Sequence, residues 1–268
     1  ALKFSDDPDE IWNLLGMEHL LVENYSEASY FFKNCLNNNP EDYPSLYNLL
    51  HCYEQLNMTE AAIDSLNKVL ESDPYCEVAW HQLGKVYLKC GKSKEALSAF
   101  EFAIISDDRF TGAYIEKGKL LESLGRLNEA ILNYELALKT TESNAFIHNS
   151  IGRCHENLGN FDAAETFYFE SVELEPTNER CWESLIIFLI SRNKFEKARV
   201  NLEKSLAIND DSIELWKNSA ELCLKIRNKN DAFRACQKLI SLGYYESDII
   251  FKIIDFLIKD RDWKKAHS

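Results

Sequence analysis

Three cations stand at one fixed interval of 34 residues: Lys85, Lys119 and Arg153. His51 precedes them by the same interval and extends the row when protonated. Ammonium and guanidinium groups in register suit charge-assisted hydrogen bonds to carboxylates, whether on side chains or at a chain end. His81 and Asn149 lie one helical turn before Lys85 and Arg153 and add donors. Further along the same interval the character changes, through Ile187 to Glu221 and Asp255. A plainer reading pairs these charges within their own helices. Glu54, Glu122 and Glu156 follow His51, Lys119 and Arg153 by three residues, a spacing that contributes about 0.2–0.5 kcal/mol per pair. Lys85 has Leu88 at that place. Both readings stay open on the sequence.

Catalytic chemistry finds little support. Gly91-Lys92-Ser93 matches the tail of a phosphate-binding loop, but the glycine required five residues earlier is Val86, within a helical pattern. Cys154-His155-Glu156 are adjacent, and consecutive helical residues point in different directions and cannot close on one metal. His155 is expected in the core. Asn24-Tyr25-Ser26 and Asn57-Met58-Thr59 fit the glycosylation sequon, yet both fall where turns already call for Asn and Ser or Thr. Eight cysteines show no CxxC pair and fall mostly at apolar-periodic positions, so they read as reduced core residues in a reducing compartment. The expectation is a protein that is not an enzyme, with no cofactor and no metal.

The interval of the cations belongs to the elements that carry them. Ala28, Ala62, Ala96, Ala130, Ala164, Ala198, Ala232 and Ala266 recur every 34 residues without insertion. A strict period of this length means one supersecondary unit copied along the chain. In Glu77–Ser106, Trp80, Leu83, Gly84 and Tyr87 follow helical spacing, and Gly91 supplies the positive φ that ends the helix. A second helix follows with Ala96, Phe100 and Ala103. Counting each copy from Asp9, Tyr43, Glu77, Thr111, Ala145, Glu179, Ile213 and Ser247, position 4 is usually aromatic and position 8 usually small. Position 15 is Gly or Asn in five copies, and position 24 is large in six. Small residues at positions 8 and 20 are expected where the two helices touch, because a larger side chain there strains the packing by about 1–3 kcal/mol.

These residues resemble the tetratricopeptide repeat family. Its W-x2-L-G-x2-Y opening stands as Trp80-His81-Gln82-Leu83-Gly84-Lys85-Val86-Tyr87, and its A-x3-F as Ala96–Phe100. The resemblance implies an all-α fold, a right-handed superhelical solenoid of antiparallel helix pairs, over a single array from 9 to 268. A lead-in, 1–8, precedes repeats at 9–42, 43–76, 77–110, 111–144, 145–178, 179–212 and 213–246, and a partial eighth at 247–268. It implies too that positions 2, 5, 9 and 12 of each first helix line a concave groove that binds peptides. The family's carboxylate clamp for chaperone C-termini is disfavoured. Asn48 and Asn218 match its middle asparagine, but Asn13, Met17, Val78 and Gln82, or Glu183, Ile187, Asp248 and Lys252, do not supply its cations. The asparagine ladder known in another member is also missing at position 6.

Composition bounds the partners. A net charge of −14 disfavours nucleic acid and anionic lipid. No apolar run approaches a membrane span and no signal-peptide pattern is present, so the expected location is cytoplasmic. Leu185–Ile190 is continuously apolar, and the helix 249–258 is apolar nearly all round. Ile187, Ile190, Phe251 and Ile258 fall at groove positions, which suits a docking strip, a homo-oligomer interface, or packing against residues beyond Ser268. The leading expectation is a non-catalytic scaffold binding an extended or helical segment of a partner protein, with an acidic stretch at the cationic row. The alternative is a ligand-responsive regulatory or targeting arm of a larger protein, with any catalytic part outside this chain.

Overall fold

A 34-residue unit with two apolar stripes has room for two helices of about 14 residues and two short turns, and this is what forms. The computed structural model describes residues 8–245 and 248–259, and among them there are fifteen helices and no strand. The eighth alanine, Ala266, and the start at Ser247 lie outside the described residues, as do residues 1–7 of the lead-in. Packing divides the chain into two units, Ala1–Thr140 and Thr141–Ser268. The first holds four helix pairs: α1 (Pro8–Leu21) with α2 (Tyr25–Asn38), α3 (Tyr43–Gln55) with α4 (Thr59–Ser72), α5 (Glu77–Lys89) with α6 (Ser93–Ser106), and α7 (Thr111–Ser123) with α8 (Leu127–Thr140). The second holds α9 (Ala145–Asn157) with α10 (Phe161–Leu174), α11 (Glu179–Ser191) with α12 (Phe195–Ile208), α13 (Ile213–Ile226) with α14 (Lys229–Ser241), and α15 (Asp248–Lys259).

Left-handed residues end the first helices where the sequence places them. Gly91, Gly125 and Gly159 have φ of 72, 73 and 79°, and Asn57 and Asn193 have φ of 56 and 58°. At Gly91 the turn is closed by Lys92 N–H donating to Tyr87 O at 2.9 Å and Gly91 N–H to Leu88 O at 3.0 Å, the paired bonds that satisfy the last carbonyls. Glu23 and Arg227 adopt the same conformation at the same place without a glycine's freedom.

The periodic alanines from Ala28 to Ala232 are all buried. At position 8 the nearest side chain is the ring at position 24 of the paired helix. A Cβ added to Gly84 would lie 2.5 Å from a ring carbon of Phe100, and one on Gly118 would lie 2.7 Å from Tyr134. Gly16 and Phe32, and Gly152 and Tyr168, repeat the arrangement. Successive pairs are also stitched together by an unforeseen bond. Trp80, Trp182 and Trp216 each donate the indole N–H to a carbonyl six residues back, on Pro74, Pro176 and Asp210, at 2.8, 2.7 and 2.6 Å.

Candidate functional site

Within each unit the first helices of neighbouring pairs lie side by side. Asn13 of α1 donates to Ser45 Oγ of α3 at 3.1 Å, and Ser184 of α11 donates to Asn149 Oδ1 of α9 at 3.2 Å. A helix in that setting keeps one strip of residues at the surface, and position 9 falls on it. His51, Lys85 and Lys119 of the first unit are exposed, as are Arg153, Ile187, Glu221 and Asp255 of the second.

In the first unit a cleft of 650 Å³ opens between α3 and α5. Tyr47, His51 and Glu54 line it from α3, and Gln82, Lys85 and Lys89 from α5. Lys89 forms an ion pair across it with Glu54. That contact holds the Glu54 carboxyl below its ordinary range, with His51 and Lys85 adding to the effect. Lys119, on α7, binds Glu116 at 2.8 Å. Lys85 has no hydrogen-bond or carboxylate partner among the described residues.

His81 lies behind the cations. Its ring is edge-on to Phe110 at 5.2 Å and tilted against Phe100 at 5.9 Å, and both ring nitrogens are buried without a hydrogen-bond partner. Burial, reinforced by Lys85 and Lys119 and opposed by Glu116, lowers its pKa to about 4. It is a neutral wedge supporting the face; as a donor to a ligand it is shut off.

In the second unit Arg153 donates to Ser150 Oγ at 3.4 Å, and Asn149 is buried. Glu221 pairs with Lys225 at 3.6 Å. Ile187 and Phe251 are 47 and 63% exposed, but Ile190 is 3% exposed and belongs to the core with Leu202. In α7 and α9 position 12 turns toward the second helix of its own pair. There Glu122 and Glu156 accept hydrogen bonds from the hydroxyls of Tyr134 at 3.1 Å and Tyr168 at 2.7 Å. The apolar run 185–190 is therefore buried apart from Ile187. Among the described side chains of α15, Ile250, Ile253 and Leu257 are buried, while Ile258 is half-buried and Asp255 exposed.

His155 is half-buried and stacks on Phe167 at 5.6 Å. Among the described residues no group of three His, Cys, Asp or Glu is placed to hold a metal ion, and no helix is long and apolar enough to cross a membrane.

Family models place these helix pairs. A model for the tetratricopeptide repeat matches residues 43–76 and 147–178, and a second matches 81–145. The chain is a tetratricopeptide-repeat protein. Solved structures agree on the fold. A tetratricopeptide-repeat protein from Parabacteroides merdae aligns with a TM-score of 0.61 at 16% identity, covering 94% of this chain and 99% of that one. The C-terminal part of one from Cytophaga hutchinsonii gives 0.69 at 17% identity, over 93 and 99%. YrrB, described as a tetratricopeptide-repeat protein with an unusual peptide-binding site, gives 0.56 at 15% identity, over 71 and 98%. No curated protein sequence matches the chain.

The tetratricopeptide-repeat fold explains what the sequence reading missed at the cleft. Lys89 stands one turn after Lys85 and is drawn into the same cleft, where it meets Glu54 from the neighbouring first helix. That pair joins residues 35 apart in sequence, so intrahelical spacing alone gave no sign of it.

Proposed function

We propose that this protein is a non-catalytic interaction scaffold that binds an extended or helical segment of a partner protein along the exposed strip of its first helices. In the first unit the segment is acidic, and the cleft between α3 and α5 receives it. The observation that carries this reading is Lys85: it is exposed in a 650 Å³ cleft and unpaired among the described residues, while Lys89 and Lys119 beside it have carboxylate partners. An unpaired ammonium at a cleft wall gives an incoming carboxylate a charge-assisted hydrogen bond without first breaking an internal one. Tyr47 and Gln82 offer an aromatic edge and an amide for the segment's apolar and backbone groups. Tetratricopeptide-repeat proteins bind peptides as a class, and the peptide-binding site named for YrrB is consistent with that use of the fold.

In the second unit we assign Ile187 and Phe251 as apolar contact points, for the partner segment or for a second copy of this chain. Arg153 continues the cationic row in sequence, and Glu221 and Asp255 end it. We read residues 9–268 as one array of eight registers, and the eight free cysteines as marking a reducing, cytoplasmic location. The test is affinity capture from lysate of the source organism, comparing wild type with Lys85→Glu/Lys119→Glu. A partner captured by wild type and lost from the variant supports the reading; equal capture by both refutes the cationic site.

A further inference from the structure

Glu54 is set apart from the two glutamates that share its register. At position 12 of their own copies, Glu122 and Glu156 accept from the hydroxyls of Tyr134 and Tyr168, at position 24 of the same pair. In the pair α3–α4 position 24 is Leu66, fully buried and without a hydroxyl. Glu54 instead stands half exposed at the cleft and forms its ion pair with Lys89 of α5. The hydrogen bond from Lys89 holds its carboxyl below the ordinary range, with His51 and Lys85 adding smaller effects, so it is charged at neutral pH.

The charges around the cleft follow from this placement. Among the described residues that line it, Glu54 is the one carboxylate, and Lys85 and Lys89 are the two ammonium groups, with His51 adding a charge only when protonated. A carboxylate arriving at Lys85 neutralises a charge that has no internal partner among the described residues. A second carboxylate beside it, at the Lys89 end, meets a lysine already compensated and a like charge on Glu54. Both members of the pair are about half exposed, so solvent moderates the repulsion and the discrimination is a few-fold rather than absolute. At the opposite end Tyr47 stands two turns before Glu54 on α3, and Gln82 two turns before Lys89 on α5; neither carries a charge.

We propose that Glu54 is a specificity-determining residue of this cleft: it admits a segment with a single isolated carboxylate, seated at Lys85, and discriminates against one with two consecutive acidic residues. The inference rests on the reading of the cleft as the seat of an acidic segment, and adds which acidic segments it takes. The two lysines then have different roles. Lys85 meets the ligand, while Lys89 acts through Glu54 as a positioning residue.

The probes are rhodamine-labelled peptides, titrated with the full chain at low ionic strength and read by fluorescence anisotropy. The single-acid probe is Gly-Phe-Ala-Glu-Ala-Phe-Gly; the double-acid probes replace the alanine before or after its glutamate with Glu. Wild type is expected to bind the single-acid probe at least as tightly as either double-acid probe. Glu54→Gln, which releases Lys89, is expected to shift the preference about threefold to fivefold toward a double-acid probe. Lys89→Met, which leaves Glu54 uncompensated, is expected to shift it the other way, and keeps the proposal testable should Glu54→Gln misfold. Glu10→Gln removes the same charge from an exposed place on α1 and is expected to leave the preference unchanged. A wild-type preference for a double-acid probe, an unmoved preference in Glu54→Gln or Lys89→Met, or an equal shift in Glu10→Gln would overturn the proposal alone. No saturable binding to wild type, or binding that Lys85→Met leaves intact, would overturn the reading of the cleft and the proposal with it.

Discussion

Gly84 and Phe100 show how closely single residues are matched in this chain. The ring at position 24 lies where a Cβ at position 8 would be, and the sizes compensate from pair to pair. Glycine faces Phe or Tyr four times, while Ala220 accompanies Cys236, Leu50 accompanies Leu66, and Ile186 accompanies Leu202. Phe100 is fully buried, so its ring has no free side toward which to move. Gly84→Ala is therefore expected to destabilise by about 1–3 kcal/mol. Phe100→Leu in the same chain should recover part of that loss, a coupling that a double-mutant denaturation cycle measures. Strict additivity of the two changes would contradict the contact. His81 is a second residue-scale test. Its pKa falls from the ordinary 6.5 to about 4, so the unfolded chain binds more protons than the folded one between those values. Its contribution is fully present above pH 6.5 and is lost as the pH falls toward 4, under the combined influence of burial, Lys85, Glu116 and Lys119. His81→Phe, which suits the pocket of Phe100 and Phe110, should flatten the decline of melting temperature across that window. An unchanged pH profile would argue that His81 is not buried as a neutral ring.

At the scale of elements, helix ends divide into those the sequence announced and those it concealed. Gly91, Gly125, Gly159, Asn57 and Asn193 are legible because these residue types tolerate positive φ; Glu23 and Arg227 carry no such sign and are held there by the helices on either side. Arg227→Gly should relieve the strain and stabilise the chain by about 1 kcal/mol. An unchanged or lowered melting temperature would show that Arg227 makes compensating contacts. Helix pairing, the buried alanines and the exposed row at position 9 were equally readable, because each repeats with the period. The misjudged residue was Ile190. The family resemblance placed position 12 in the groove, and Glu54 does line the cleft, but on α11 the adjoining packing covers that position. Ile190 is therefore core, and Glu156 meets the Tyr168 hydroxyl. Contacts between helices, such as Lys89 with Glu54 or the tryptophan N–H bonds, need the packed arrangement before they can be seen.

On the scale of the whole molecule, a chain of net charge −14 keeps an exposed lysine, unpaired among the described residues, in a cleft of its first unit. Repulsion from so acidic a surface opposes a general polyanion, while a short acidic segment reaching Lys85 meets local attraction. Partner association should accordingly weaken as ionic strength rises from low to physiological values, because exposed charges are screened over about 8–10 Å there. A salt-independent affinity would indicate apolar docking, centred on residues such as Ile187 and Phe251. The central claim is most directly tested by the affinity of a captured partner segment, measured by fluorescence anisotropy, for wild type and for Lys85→Glu/Lys119→Glu of confirmed helicity. The account predicts saturable binding to wild type and at least about a tenfold loss in the charge-reversed protein. Equal affinity for the two proteins would contradict it.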